Sequence, residues 1–315
     1  MNDADARWLA AAAALAERAR PLSRPNPAVA AIIVKDGIVL GRGWTGAGGR
    51  PHAEAEALAQ AGIRAHGATA YVTLEPCAHR SERGPACADL LAQAGLARVV
   101  VGAGDPDPRT AGAGIERLRD ASIQVELTDD AACRASLAGY LTRMRLGRPF
   151  VTLKLALTAD GFVARPDGSS RWITGEAARA HVHRERARSD AILVGGGTLR
   201  ADGPRLDVRL PGLEERSPRR LALTHGAAPE GWEALAEPEA IQALGDAQYL
   251  MIEGGAQVAQ TFLAAGLVDR MTLYRAPVKF GKGIPAFPDG VPENWSSVDH
   301  RSFGNDTLEI LEPAR

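Results

Sequence analysis

The sequence lacks a dominant charge. Across 315 residues, 37 Lys and Arg stand against 38 Asp and Glu, a formal net charge of −1. That balance gives no general drive toward nucleic acid or an anionic membrane. Cysteine is scarce and odd in number, three in all, so no disulfide framework is expected. No apolar run reaches the length of a membrane span. The start, "MNDADARWLAAAAALAERARP", has an apolar run from Trp8 to Ala16, but acidic residues precede it and Glu17 and Arg18 follow. It reads as an amphipathic first helix and not as a signal peptide. No segment repeats, and Gly195 to Gly197 do not complete a G-x-G-x-x-G fingerprint, which argues against an ordinary Rossmann dinucleotide site. What remains is a cytoplasmic globular chain long enough for two domains, each with its own core.

Helix and strand alternate along the chain. A helix over 4–19 leads into "AVAAIIVKDGIVLGRGW", two apolar runs joined at Lys35-Asp36-Gly37. Asp-Gly between alternating runs is a hairpin signal. Then come helix 52–61, strand "ATAYVTLE", helix 87–94, strand "ARVVVGAGD", helix 113–121, strand "IQVEL" and a helix over 130–146. This order predicts an α/β layer sandwich. Gly147-Arg148-Pro149 marks a boundary, giving expected domains of 1–147 and 148–315. The alternation restarts with "FVTLKLAL", helix 175–188, "AILVGG", "RLALT", helix 237–244, "YLMIEGG", helix 256–265 and "MTLYRAPV", with 203–220 as loop.

The first half carries the sharper chemistry. "GRPHAEAEAL" sets His52 and Glu54 two residues apart after Pro51, and "TLEPCAHRSERGPACADLL" adds Cys77 and Cys87. A catalytic zinc keeps three protein ligands and leaves one position for water, and His52, Cys77 and Cys87 supply that set. Bound zinc lowers the pKa of its water toward ~7, so hydroxide is available to attack an amidine-like ring carbon and expel ammonia. Glu54, beside the metal and not needed as a ligand, suits the proton shuttle. Residues two apart on an ideal helix point to nearly opposite sides, so the metal belongs off the helix mouth at His52. Cys77 is expected just before a helix start, where the dipole and the metal favour its thiolate. A structural zinc would want four ligands, and His79 could be the fourth. Cys133, in an apolar helix, reads as a core residue.

His-x-Glu followed by Pro-Cys and a second cysteine resembles the zinc-dependent nucleobase and nucleotide deaminases. Nine residues separate the two cysteines here, where the common signature has two. That long spacing, with "NPAVAAIIVKDG", "HAEAEAL", "GATAYVTLEPCAH" and "GPACADLL", is similar to one branch, the bifunctional deaminase-reductases of riboflavin biosynthesis. In the second half, "LKLALTADGFVA", "SRWIT", "ILVGGGTLRADGPRLDVR" and "MIEGGAQVAQTFLAAGLVD" look like successive motifs of that family's reductase domain. The resemblance covers about 5–280. It implies an N-terminal cytidine-deaminase-like three-layer α/β/α domain and a C-terminal dihydrofolate-reductase-like α/β domain. It also implies one zinc per chain, NADPH, and two reactions. The first is deamination of 2,5-diamino-6-(5-phosphoribosylamino)pyrimidin-4(3H)-one. The second is reduction of the ribosyl side chain to ribityl.

By position, the resemblance assigns Ala156, Trp172, Thr198, Asp202 and the Gly255–Thr261 segment to the cofactor. It assigns Ser170, Arg186, Leu206, Arg209 and Glu253 to the substrate. Arg186 and Arg209 suit a ribose phosphate through paired N–H donors, and Trp172 offers a flat face for a ring. Asn26 matches the family and either holds the substrate base or is a turn residue between prolines. His181 and His183 are expected to be solvated. Lys154, Asp160 and Asp202 are open choices for the proton source. Four departures stand out: the loop "RSERGPAC" has one residue more than the family's, Thr45 stands where a histidine is common, the stretch from about 211 to 248 is shorter than is usual in the family and lacks its polar hairpin, and His225 stands where serine is frequent. The expected partner is a small phosphoribosylaminopyrimidine, with no nucleic acid and no membrane, and the chain is expected to work as a homo-oligomer, dimer or tetramer. One rival is a tRNA adenosine-type deaminase with an unrelated C-terminal domain, which would want a basic stripe. Another is a zinc-stabilised nucleotide-binding module without turnover, which would want a fourth protein ligand.

Overall fold

The computed structural model describes residues 2–79, 82–170 and 173–314. The chain divides into two compact units, Met1–Gly147 and Arg148–Arg315.

In the first unit, α1 (Asp3–Ala16) starts at a capping box between Asn2 and Asp5. The hairpin of β1 (Ala30–Lys35) and β2 (Ile38–Trp44) turns through Asp36 at φ 52° and Gly37 at φ 75°. Two left-handed central residues are the requirement of a type I′ turn. There follow α2 (Ala53–Ala61), β3 (Thr69–Val72), α3 (Cys87–Gln93), β4 (Arg98–Val101), α4 (Ala113–Asp120), β5 (Gln124–Leu127), α5 (Ala131–Ser136) and α6 (Ala138–Leu146). The strands order as β2-β1-β3-β4-β5, antiparallel around β1 and parallel from β3 to β5. The strand period of two sorts the side chains onto opposite faces. Ala31, Ile33, Val72, Val99 and Val101 pack with Ala57, Leu91 and Leu118. Ile32, Val34, Tyr71 and Val100 pack with Leu9, Ala12 and Cys133. Helices therefore cover both faces, which gives three layers. The helix expected over 130–146 is two helices that meet at Leu137 (φ −98°, ψ 5°). Just before that break the Ser136 hydroxyl donates to the Cys133 carbonyl at 2.8 Å, a local competitor of the helical ladder.

One close approach sets the first site. A Cβ on Gly41 or Gly43 would run into the carbonyl oxygens of Ala57 and Ala53. Two bare positions on β2 thus let α2 lie directly on the strand, which fixes where the mouth of α2 emerges.

The second unit contains β6 (Phe150–Leu157), β7 (Phe162–Ala164), α7 (Glu176–Arg186), β8 (Ala191–Gly195), α8 (Gly196–Asp202), β9 (Arg219–Leu223), β10 (Trp232–Leu235), β11 (Tyr249–Glu253), α9 (Ala256–Ala264), β12 (Arg270–Arg275), β13 (Ile284–Pro285), β14 (Trp295–Phe303) and β15 (Asp306–Pro313). The main sheet orders as β10-β9-β8-β11-β6-β12-β15-β14, parallel as far as β12 and antiparallel beyond, while β7 pairs with β13. Val151, Leu153, Leu155 and Leu157 of β6 pack on the side of Phe262 in α9. Ile192, Val194 and Met251 pack on the other side, under Ala178 and Val182 of α7. By alternation Lys154 and Ala156 share the α7 side. The helix expected over 237–244 is a 3₁₀ turn, Pro238–Ala243, the tighter winding that short connectors commonly take. Among the described residues, no helix is long and apolar enough to cross a membrane.

Candidate functional site

His52 is the N-cap of α2, with extended backbone at φ −73°, ψ 155°, and Glu54 lies in the first turn. Cys77 sits in the loop after β3, and Cys87 opens α3. One ligand atom from each of His52, Cys77 and Cys87 falls within 4.8 Å of the others. His52 Nδ1 lies 3.2 Å from Cys87 Sγ and 3.6 Å from Cys77 Sγ. The helix mouth that serves Cys77 is not immediately after it, as the sequence suggested. It is the start of α3, where the Cys87 backbone N–H donates to Cys77 Sγ at 3.3 Å. The Cys77 thiol is pulled down first by its hydrogen bond with Cys87, against burial and with help from His52; that same bond and burial push the Cys87 thiol up. Two sulfurs and one imidazole nitrogen are the donor set that zinc takes, so the trio fits that metal.

Glu54 is 4% exposed. Burial, reinforced by the nearby Cys77 and opposed by His52, raises its carboxyl above the usual range. The trio has no fourth member among the described residues. His79 lines the same cavity, and its Nδ1 is buried without a hydrogen-bond partner. The cavity measures about 510 Å³ and is bounded by Asn26, Thr45, Arg50, Arg83, Asp105, Asp107 and Arg109 as well as by His52, Glu54 and Cys77. Asn26 Nδ2 is 3.1 Å from the Gly49 oxygen, to which it donates, and 3.2 Å from His52 Nε2. With Nδ1 facing the two sulfurs, Nε2 keeps the ring's hydrogen and is itself a donor, so the Asn26 amide nitrogen is its neighbour and not its hydrogen-bond acceptor. Cys133 is fully buried in the core, and burial pushes its thiol up.

The second unit holds a cavity of about 480 Å³. Ala156, Thr198, Asp202 and Gly255 line it, as do Ser170, Arg186, Arg209 and Glu253. Leu206 does not; it is packed in the core with Ala178 and Val182. Trp172 lies outside the described residues. Arg186 is committed internally. Its Nε and Nη2 donate to Glu253 at 2.6 and 2.9 Å, and Nη1 donates to the Asp207 carbonyl at 3.0 Å. The paired donors expected for a phosphate are thus already taken by a carboxylate. Lys154 Nζ stands 3.5 Å from the same Glu253. Burial alone would raise Glu253, but Lys154 and Arg186 outweigh it and hold the carboxyl down to about 2. Arg209 is half exposed, and its backbone N–H donates to His183 Nδ1 at 3.3 Å. Neither His181 nor His183 is simply solvated: His183 lines the cavity, and His181 is buried, with Nδ1 2.7 Å from the Tyr274 hydroxyl. Lys154 and Asp202 line the cavity, whereas the Asp160 carboxylate accepts from the Phe280 and Gly281 N–H groups at 3.1 and 2.8 Å and is not among the lining residues.

Residues 2–103 match the family model of the cytidine and deoxycytidylate deaminase zinc-binding region, and residues 149–308 match that of the RibD C-terminal domain. The chain belongs to the RibD family. It is 38% identical to riboflavin biosynthesis protein RibD of Haemophilus influenzae, over 87% of each chain. It is also 38% identical to RibD of Escherichia coli, over 90% of this chain and 91% of that one. Among solved structures, RibD of Acinetobacter baumannii superposes with a TM-score of 0.86 at 35% identity, covering 99% of both chains. A diaminohydroxyphosphoribosylaminopyrimidine deaminase/5-amino-6-(5-phosphoribosylamino)uracil reductase from Thermotoga maritima gives 0.85 at 29% identity, covering 98% of this chain and 99% of that one. The fold is that of RibD: a cytidine-deaminase-like half and a dihydrofolate-reductase-like half. In the first RibD-type cavity, sequence reasoning missed Asp105, Asp107 and Arg109. The signal was present, because "GDPDPR" follows the carboxyl end of a parallel strand, where α/β sheets bind ligands.

Proposed function

We propose that this chain carries out two successive reactions of riboflavin biosynthesis, with hydrolytic deamination assigned to residues 1–147 and reduction to residues 148–315. The observation that carries the reading is the His52, Cys77 and Cys87 trio with a buried, non-ligating Glu54 beside it, in a chain whose family match spans both halves. The substrate is 2,5-diamino-6-(5-phosphoribosylamino)pyrimidin-4(3H)-one, a small molecule and not a nucleic acid. Zinc held by the trio supplies the Lewis acidity that makes water nucleophilic at neutral pH. The Glu54 carboxylate takes the proton of the incoming water and delivers one to the departing ring amine. Its burial favours the protonated form needed between the two transfers. Arg50, Arg83 and Arg109 give the same cavity a cationic rim suited to the ribotide phosphate.

NADPH supplies the hydride for the second reaction. Ala156, Thr198, Asp202 and Gly255 form its side of the cavity, with Trp172 assigned to it by the family resemblance. Ser170, Arg209 and Glu253 form the substrate side. Arg186 acts by fixing Glu253, so the phosphate falls to Arg209. Lys154 and Asp202 are the proton sources within reach of the cavity. The enzyme is assigned to the cytoplasm, a reading supported by three cysteines that form no disulfide, and it is expected to act as a homo-oligomer. Incubating the protein with the diaminopyrimidine ribotide should release ammonia without NADPH; no ammonia from zinc-replete protein would overturn the assignment.

A further inference from the structure

Glu75 lies two residues before Cys77, is 4% exposed and takes no part in the trio. Its carboxylate is nonetheless the most heavily used acceptor near the first site. Oε1 accepts from the backbone N–H groups of Gly114 and Ile115 at 3.0 and 3.3 Å. Oε2 accepts from Gly112 at 3.1 Å and from Asp105 at 3.4 Å. These donors have an unmet need. The N-cap of α4 is Gly112, which has no side chain to offer the first turn, and unpaired amides at a helix start are costly when buried. Glu75 therefore caps α4 from 37 residues away in sequence. Gly114 lets the two segments meet, since a Cβ there would run into the Pro76 carbonyl oxygen.

The loop held at its two ends by this carboxylate, from Asp105 to Gly112, forms one wall of the zinc cavity. Asp105, Asp107 and Arg109 all face that cavity. Within the wall, Asp105 Oδ1 accepts from the Tyr140 hydroxyl at 2.7 Å and from the Asp107 N–H at 2.9 Å. On the other side of Glu75, two residues along the chain, stands the ligand Cys77. One side chain thus ties the metal-bearing segment to the wall opposite.

We infer that Glu75 is a positioning residue of the deamination, one that sets the distance between the zinc trio and the substrate-facing wall at Asp105, Asp107 and Arg109. Its side chain borders the cavity, but both carboxylate oxygens accept from backbone N–H groups and it is not one of the trio. Its effect is on how well the ribotide binds, because a displaced wall loses its contacts to the ribotide before any chemistry begins. This rests on the deaminase reading above, and ammonia release by the parent chain tests that reading separately.

The test uses Glu75→Gln and Glu75→Asp in the full-length, zinc-loaded protein. Glutamine turns one acceptor oxygen into a donor and opposes N–H to N–H at one end of the loop. Aspartate stays acceptor-only but is one methylene short, so it serves as the milder change should the glutamine variant fold poorly. Ammonia release is measured across ribotide concentrations, with zinc content, and NADPH oxidation on the deaminated ribotide, taken from the same samples. The expected result is a KM for deamination raised roughly 10-fold or more in Glu75→Gln, a smaller rise in Glu75→Asp, one zinc per chain in both, and unchanged NADPH oxidation. An unchanged KM in both variants would overturn the inference. So would loss of zinc, or a fall in kcat at unchanged KM, because either outcome would make Glu75 a support of the metal centre and not of the wall.

Discussion

Glu54 and Glu75 are both buried carboxylates within reach of the same cavity, yet their surroundings give them different work. Glu75 is surrounded by N–H donors and is held still. Glu54 has few fixed donors, is raised by burial, and is free to exchange a proton. Glu54→Gln should therefore keep one zinc per chain and lose ammonia release by ~10²-fold or more; metal analysis alongside steady-state rates checks both halves of that statement. In the second cavity, Arg186 is paired with Glu253, while Arg209 is half exposed, with its Nε 3.5 Å from Asp207. Arg209→Ala should weaken substrate binding by about 10-fold, the usual size of one charge-assisted contact, and leave NADPH affinity near the parent value. Separate titrations of the two ligands decide the point, and a loss confined to NADPH would reverse the two ends of the cavity. At this scale the zinc trio was legible because residue type and spacing together define the chemistry. The Arg186–Glu253 pair was not, because 67 residues separate its members and nothing local to either announces the other.

Among the elements, α7 carries the clearest titratable device. His181 on its inner face meets Tyr274 of β12, and its ring lies tilted against Phe303 of β14 with centroids 4.6 Å apart. Burial, with Arg184, Arg188 and Arg301 adding and Glu185 opposing, lowers its pKa to about 4. The unfolded chain binds the proton at the ordinary 6.5, so the folded state is disfavoured as pH falls below that value, and the loss levels off near 4. The second unit should lose up to about 3 kcal/mol of stability across that window. Denaturant unfolding followed from pH 7 to pH 4 measures it, and His181→Gln should flatten the slope. The exposed look of "HVHRER" concealed this, since helical spacing puts His181 on the same face as the buried Ala178 and Val182. Other elements were legible to different degrees. The long apolar strands and the Asp-Gly hairpin were readable from pattern alone. β14 was not, because it is an edge strand whose residues are mostly exposed, so no apolar alternation marks it. The Pro238–Ala243 turn read as a helix because its composition is helix-forming, and it winds as 3₁₀.

For the molecule as a whole, each compact unit has its own two-faced sheet and its own apolar clusters. Residues 148–315 alone should therefore fold and oxidise NADPH when given the already deaminated ribosylaminouracil phosphate, and should release no ammonia from the diamino precursor. An insoluble or inactive fragment, with the full chain active, would show that the second unit depends on the first.

The central claim is that one chain performs two reactions in a fixed order. The most direct measurement gives the full-length, zinc-loaded protein the diaminopyrimidine ribotide and NADPH together and follows ammonia and NADPH in the same sample. Ammonia should appear first, and NADPH oxidation should follow it and converge on one NADPH consumed per ammonia released. NADPH oxidation that precedes ammonia, or that proceeds without it, would contradict the account.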